Sequence, residues 1–288
     1  MNSLNKPFVS ILMTAYNREE LIVEAIESVL NCGYTNSEVI IVDDCSTDNT
    51  FKVIENYALK ESRIKHYQNE KNLGDYANRN RAASYARGEY ITYVDSDDKM
   101  LPGGLEECMD AMLRFPNAGI GMYWPKVEES SFLFSKKEAI KHHFFKYPFL
   151  VVGPGATILK RSFFESLNGY PEKYGPANDM YFNLKAVCFS DVVLFPFKFF
   201  FYRVHDLRES NNWYKYLYYN YLFLKDALME LPLPLLAKEK KWIENKNKRR
   251  FSINLVKHLF STGSFREVAG AVKKTDFSLR DIFNGIFH

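Results

Sequence analysis

No run of about 18 consecutive apolar residues occurs in this chain, which argues against a membrane-spanning helix. The longest candidate, 192–202, is short and carries Pro196 and Lys198, so it reads as one or two buried strands. Cysteine is scarce. Cys32, Cys45, Cys108 and Cys188 lie far apart, form no C-x-x-C pair and suggest neither a disulfide framework nor a zinc site. Reduced thiols in a cytoplasmic setting are the simplest expectation. The opening residues 1–7 are polar, with no apolar signal core after them, and no secretory signal is expected. A net charge of +3 is too small to argue for nucleic acid. There is no G-x-x-x-x-G-K-[ST] loop, and Gly119-Ile120-Gly121 and Gly153-Pro154-Gly155 lack the third glycine and the strand–helix context of a dinucleotide loop. ATPase and hydride-transfer chemistry are thereby disfavoured. His142-His143 lacks the i, i+4 spacing of a helical metal site and is expected at the surface. Hydrophobic and charged shares of 47% and 25% are those of an ordinary globular protein, whereas aromatics reach 16% and crowd after residue 130.

Strand-like and helix-like segments alternate through the first third. Apolar, β-branched runs at 8–13, 39–42 and 90–94 read as buried strands, with a weaker one at 64–67. Between them, Leu21, Ile22, Ala25, Ile26, Val29 and Leu30 recur at helical spacing. Phe51, Val53, Ile54, Tyr57 and Ala58 mark a second helix, and 75–87 a third. Asn17 with Glu20 three positions on predicts a capping box at the start of the first helix. Helices are expected over 100–115 and 178–189, a glycine-containing turn into a strand over 151–159, and helical structure from Asn211 onward. This alternation implies a mostly parallel sheet covered on both faces, with functional groups at the strands' C-terminal ends. Three such ends are polar: Thr14-Ala15-Tyr16-Asn17, Asp43-Asp44 and Asp95-Ser96-Asp97-Asp98.

The last of these is the most informative. Three carboxylates in four positions repel one another unless a cation or proton neutralises them. Either a hard divalent ion sits there, since Mg²⁺ and Mn²⁺ favour oxygen ligands and keep sites for phosphate oxygens, or the segment is a solvated turn with an acidic helix cap.

Taken together, Thr14-Ala15-Tyr16-Asn17, the Val42-to-Thr50 loop, Asn72-Leu73-Gly74 with Arg79-Asn80, the D-x-D-D and the segment 153–179 resemble the family 2 glycosyltransferases of the GT-A fold, over roughly residues 7–205. The resemblance implies a GT-A domain, taken as 1–210, and the Tyr- and Lys-rich helical pattern from Asn211 sets off a helical, aromatic and basic appendage over 211–288. It implies inverting transfer of a sugar from a nucleoside diphosphate donor, UDP favoured, to an acceptor hydroxyl, with Mn²⁺ or Mg²⁺. Thr14, Ala15 and Tyr16 match the loop beside the base and ribose, and Asp44 matches the carboxylate reading the base edge, with Asp43 left open as a loop-orienting neighbour. Arg79 matches a position near the phosphates. Asp95 and Ser96 fall on the donor side, and Asp97 and the late His205 match metal or phosphate contacts. Gly153, Pro154, Gly155 and Ala156 match an acceptor loop, and Asp179 matches the catalytic base. The usual Glu-Asp pair there reads Asn178-Asp179, which leaves Asn178 on the acceptor side without the second acid.

The setting implied is bacterial surface polysaccharide or glycolipid assembly on a glycan or lipid-linked sugar, in the cytoplasm or at the inner face of the membrane. The tyrosines and lysines after residue 212 suit either a membrane interface or a packed appendage with a solvated basic face. No nucleic-acid module accompanies them. A sugar nucleotidyltransferase needs a glycine-rich loop after the first strand, which 14–18 does not contain. A non-catalytic carbohydrate- or membrane-binding protein on the same fold is the remaining alternative.

Overall fold

The structure is a computed structural model that describes residues 6–124, 130–203, 213–278 and 281–282. Its centre is an eight-stranded sheet built from β1 (Val9–Ala15), β2 (Ser37–Asp43), β3 (Ile64–Gln68), β4 (Tyr90–Tyr93), β6 (Ile120–Tyr123), β7 (Phe132–Phe134), β8 (Thr157–Lys160) and β9 (Val192–Phe195). The order across the sheet is β3-β2-β1-β4-β8-β6-β9-β7. The first four strands are mutually parallel, β8 runs antiparallel to both its neighbours, β9 is parallel to β6, and β7 closes the far edge antiparallel. The expected mostly parallel α/β sheet is therefore present. A separate two-stranded ribbon joins β5 (Lys99–Met100) to β10 (Phe200–Phe201), so the 192–202 run, read as one or two strands, is two, separated by 196–199.

Successive side chains of a strand point to opposite faces, and both faces here are buried. In β2, Ile40 and Val42 enter one core, while Val39 and Ile41 enter the other. The second core takes Ile22, Ala25, Ile26 and Val29 from α1 (Ile22–Leu30), Ile54 from α2 (Thr50–Ala58), and Leu105, Cys108 and Met112 from α4 (Gly104–Arg114). The first core takes α3 (Asp75–Ser84), α5 (Lys136–Phe145), α6 (Arg161–Ser166) and α7 (Asn178–Phe189). All four cysteines are free thiols, and three are buried.

The helical C-terminal region consists of α8 (Trp213–Glu230), α9 (Ala237–Thr262) and α10 (Phe265–Thr275), with Pro232 and Pro234 between α8 and α9. Phe223, Ala227, Leu231 and Leu233 join the first core, and Tyr174 and Tyr181 donate hydrogen bonds to Asp226 and Glu230 of α8. Tyr221, Phe251, Leu255, Ala271 and Phe277 form a smaller cluster of their own. The expected boundary at residue 210 lies outside the described residues.

Two local expectations are corrected. Asn17 does not cap α1: it takes a left-handed φ of 51°, and its side chain accepts from the Thr47 amide 30 residues on, so α1 begins at Ile22 after a turn closed on the Arg18 carbonyl. His142 and His143 are not a surface pair. His142 packs edge-on to Trp124, and His143 accepts the Leu150 amide, with burial pushing its imidazole down to about 3.

The turn into β4 allows little room. A Cβ added at Gly88 would stand 2.4 Å from the Ser10 amide nitrogen and 2.7 Å from the Tyr90 carbonyl, both backbone atoms of sheet strands. Gly88→Ala is expected to lower the unfolding free energy by about 1–3 kcal/mol. Urea unfolding beside wild type checks this, and an unchanged midpoint would contradict the packing.

Candidate functional site

Topology delivers the site's residues to one end of the sheet. The parallel register places Ala15 beside Asp43 and Leu12 beside Tyr93, so 14–17, 43–48 and 95–98 leave their strands at nearly the same level. β8 is antiparallel to β4, and its N-terminal approach, the short 3₁₀ turn Pro154–Ala156, therefore meets the C-terminal end of β4. Gly155 lies close against the Tyr93 carbonyl. Helices that precede a parallel strand run back along the sheet, so the first turn of α7, with Asn178 and Asp179, opens at this same end. A cleft of about 1100 Å³ results.

On one side of the cleft, Tyr16 is 44% exposed and does not pack beneath α1. The two neighbouring acids of β2 separate. Asp43 turns into its own loop and accepts from the Ser46 amide and hydroxyl and from Gln68. Asp44 faces the cleft and accepts from Asn69 and from the Leu73 and Gly74 amides. A carboxylate has about four acceptor positions, so one remains for a ligand N–H.

The acidic cluster sits next to this. Asp95, Asp97 and Asp98 each offer an oxygen within 4.8 Å of the others. Asp95 accepts from the Arg79 Nη1 at 2.6 Å, and Asp97 lies 3.6 Å from the Arg18 guanidinium. Asp98 accepts from the Arg203 amide, which the β5–β10 ribbon holds in place. Two guanidiniums face three carboxylates, a donor set that fits a hard divalent cation. Arg79 is buried, with its Nε 3.0 Å from Asp75 in an ion pair that lacks hydrogen-bond alignment, and its planar head lies over the rings of Tyr76 and Tyr93. Burial works against its charge, but Asp75 and Asp95 more than offset this and hold it well above the usual arginine range.

Asp179 lines the same cleft. Burial pushes its carboxyl up to about 7, against the pull of its hydrogen bond from the Met180 amide and of the Arg79 charge. Gly153 faces it, and an added Cβ there would come 3.8 Å from Asp179 Oδ2. Asn178 lines the cleft, but its amide is spent locally, accepting from the Tyr174 amide and donating to the Gly175 carbonyl. A glutamate could accept the first bond but not donate the second.

All the expected site residues within the described part of the chain line this one cleft: Thr14, Ala15, Tyr16, Asp44, Arg79, Asp95, Ser96, Asp97, 153–156, Asn178 and Asp179. His205 lies outside the described residues. Residues not assigned to the site from the sequence also contribute. Arg18 reaches Asp97, Asp75 pairs with Arg79, and Lys215, Tyr216 and Tyr219 of α8 form part of the wall. Arg18 was legible as a cation in a strand-end loop, whereas nothing local marks α8 as a cleft element.

A mostly parallel α/β sheet with an acid cluster at its strand ends and a buried carboxyl lining the same cleft is the layout of a GT-A-type fold. The family model described as "Glycosyl transferase family 2" matches residues 10–170, and the chain belongs to that family. It is 44% identical over 107 residues (37% of this chain) to the UDP-Glc:alpha-D-GlcNAc-diphosphoundecaprenol beta-1,3-glucosyltransferase WfgD of Escherichia coli. It is 35% identical over 104 residues (36% of this chain) to the GalNAc(5)-diNAcBac-PP-undecaprenol beta-1,3-glucosyltransferase of Campylobacter jejuni. These matches take in only 41% and 34% of those relatives' own length. The fold is similar to that of S. aureus TarS 1–349, with a TM-score of 0.68 and 21% identity, covering 96% of this chain and 80% of that one. TarS has also been solved in complex with UDP-GlcNAc.

The raised Asp179 carboxyl has a stability consequence. Unfolded, it titrates near 3.9, and folded at about 7, so its neutral form favours the fold. That contribution is full below about pH 4 and is lost as pH rises through 7. Asparagine stays neutral and can keep the Met180 bond. Asp179→Asn is therefore expected to gain stability over wild type as pH rises across this window, by up to about 4 kcal/mol. Thermal melts at several pH values check it, and a pH-independent difference would count against the assignment.

Proposed function

We propose that this protein is an inverting, metal-dependent glycosyltransferase that moves a sugar from a nucleoside diphosphate donor to an acceptor hydroxyl. The observation that carries the reading is one cleft lined by the Asp95/Asp97/Asp98 cluster and by a buried carboxyl poised near neutrality. Tyr16 covers the base face, Thr14 and Ala15 lie beside the nucleoside, and Asp44 accepts from the base edge. Ser96 and Asp95 bound the ribose and diphosphate side, and Arg79 and Arg18 supply positive charge around it. Asp97 is the preferred direct metal ligand, with Mn²⁺ or Mg²⁺ the fitting ions and His205 an additional candidate. When bound, the ion offsets charge building on the leaving diphosphate.

Asp179 takes the proton of the acceptor hydroxyl. The oxygen bonds to the anomeric carbon as the bond to the diphosphate breaks on the opposite face, and the configuration inverts. Gly153, Pro154, Gly155, Ala156 and Asn178 shape the acceptor side, and Asn178 does so by fixing the turn that presents Asp179. The appendage from residue 211 closes that side through α8. The relatives' names support UDP-sugars as donors and a lipid-linked sugar as acceptor in bacterial surface polysaccharide or glycolipid synthesis. No helix of the described residues is long and apolar enough to cross a membrane. Action in the cytoplasm, at the inner membrane face, fits this setting.

Nucleoside diphosphate release from UDP-sugars, with an acceptor and Mn²⁺, tests the reading. Asp179→Asn is expected to lower turnover about 10²–10⁴-fold, and Asp97→Ala about 10²–10³-fold. Chelation of the metal should abolish wild-type activity. Wild-type turnover in both variants would sink the mechanism. In wild type, kcat/KM should rise with pH through an apparent pKa near 7, the value at which Asp179 becomes a base. That limb should be missing from the residual activity of Asp179→Asn.

A further inference from the structure

On α9, Ile243, Asn247 and Phe251 are buried, while Lys238, Lys241, Trp242, Asn245, Lys246 and Arg249 are exposed. Positions 238, 242, 245 and 249 fall on one helix face, with 241 and 246 flanking it. Trp242 stands near the middle of this face, 47% exposed, and its ring packs 5.4 Å from that of Phe145, itself 40% exposed at the end of α5. Leu236, 58% exposed, precedes α9. The Lys246 ammonium rests 4.7 Å over the Trp242 ring.

Charge around this apolar centre has one sign. Residues 237–250 hold seven Lys and Arg against two acids. Both acids are already neutralised, Glu239 by Lys141 and Glu244 by Lys241 and Lys248. Lys238, Lys246 and Arg249 form no ion pair among the described residues, and Lys146 adds an exposed cation on the α5 side.

We propose that this face, centred on Trp242 and Phe145, docks the protein onto an anionic lipid bilayer. Aromatic rings at the centre suit the interfacial layer, and long cationic stems at the rim reach lipid phosphates while their methylenes cover apolar surface. A protein partner of this charge would need its own acidic counterpart, whereas an anionic leaflet supplies one over the whole patch. The patch runs into the cleft: Phe145 and Lys146 lead directly to Tyr147 and Pro148, which line it. Docking thus brings the acceptor side of the cleft to the headgroup plane. Only that last step rests on the lipid-linked acceptor reading.

The test is sedimentation of the full chain with lipid vesicles, without donor or acceptor, so that failure here is separable from failure of the transferase reading. Vesicles of phosphatidylcholine containing phosphatidylglycerol should bind at least about ten-fold more protein than phosphatidylcholine alone, and raised salt should weaken the binding. Lys238→Glu/Lys246→Glu/Arg249→Glu should remove that preference, and Trp242→Ser should cut binding several-fold. Both should keep wild-type melting temperature and turnover on a soluble acceptor. If the triple variant does not fold, Lys246→Gln and Trp242→Ser carry the test. Equal binding to neutral and anionic vesicles, undiminished binding by the folded variants, or binding to heparin but not to anionic vesicles would overturn the proposal.

Discussion

The Arg79 guanidinium lies in the wall of the cleft, with one nitrogen 2.6 Å from Asp95 and another 3.0 Å from Asp75. A buried cation is costly unless paired, and these carboxylates, with the faces of Tyr76 and Tyr93, are what allow it to remain. The Tyr93 hydroxyl donates back to the Arg79 carbonyl, so α3 is fixed to the end of β4. Because one carboxylate partner begins the acidic cluster and the same charge acts on Asp179, this pair couples the two parts of the site. Removing Asp95 would leave the buried guanidinium with Asp75 as its one carboxylate partner, as well as alter the cluster.

The second constraint is strand direction. Parallel β1, β2 and β4 present three polar ends together, but these make only the donor-like half. The other half exists because β8 is inserted antiparallel between β4 and β6, bringing 153–156 to the same edge. The packing of α8 onto this assembly then adds Lys215, Tyr216 and Tyr219 to the wall, and a segment that reads as an appendage becomes part of the cleft.

The division between Asn178 and Asp179 shows how neighbours acquire different uses. Both open α7, and both line the cleft. The Asn178 amide, with a donor and an acceptor, closes the 174–178 turn from both ends. This leaves Asp179 as the acid presented to Gly153, in surroundings dry enough to raise its proton affinity. An acid at 178 would lose the donor side of that turn and add a like charge beside Asp179.

The strand and helix order through residue 94, the two-faced burial of β2 and β4, helix 178–189 and the acidic strand end were legible in the chain, because period-two and period-3.6 hydrophobic patterns and charge clustering are local properties, whereas the short elements β5, β6, β7, α5 and α6 were not anticipated. What a residue does once folded was not local. Asn17 looks like a helix cap but binds the Thr47 amide, and vicinal histidines that look solvated pack beside Trp124 and Leu150. The separation of Asp43 from Asp44 required Gln68, Asn69 and the 73–74 amides to be in place. The sequence by itself determined the α/β class and the chemistry gathered at the strand ends. Tertiary structure alone decided the proton affinity of Asp179, the pairing of Arg79 and the entry of α8 into the cleft, since each depends on burial and on partners far away in the chain.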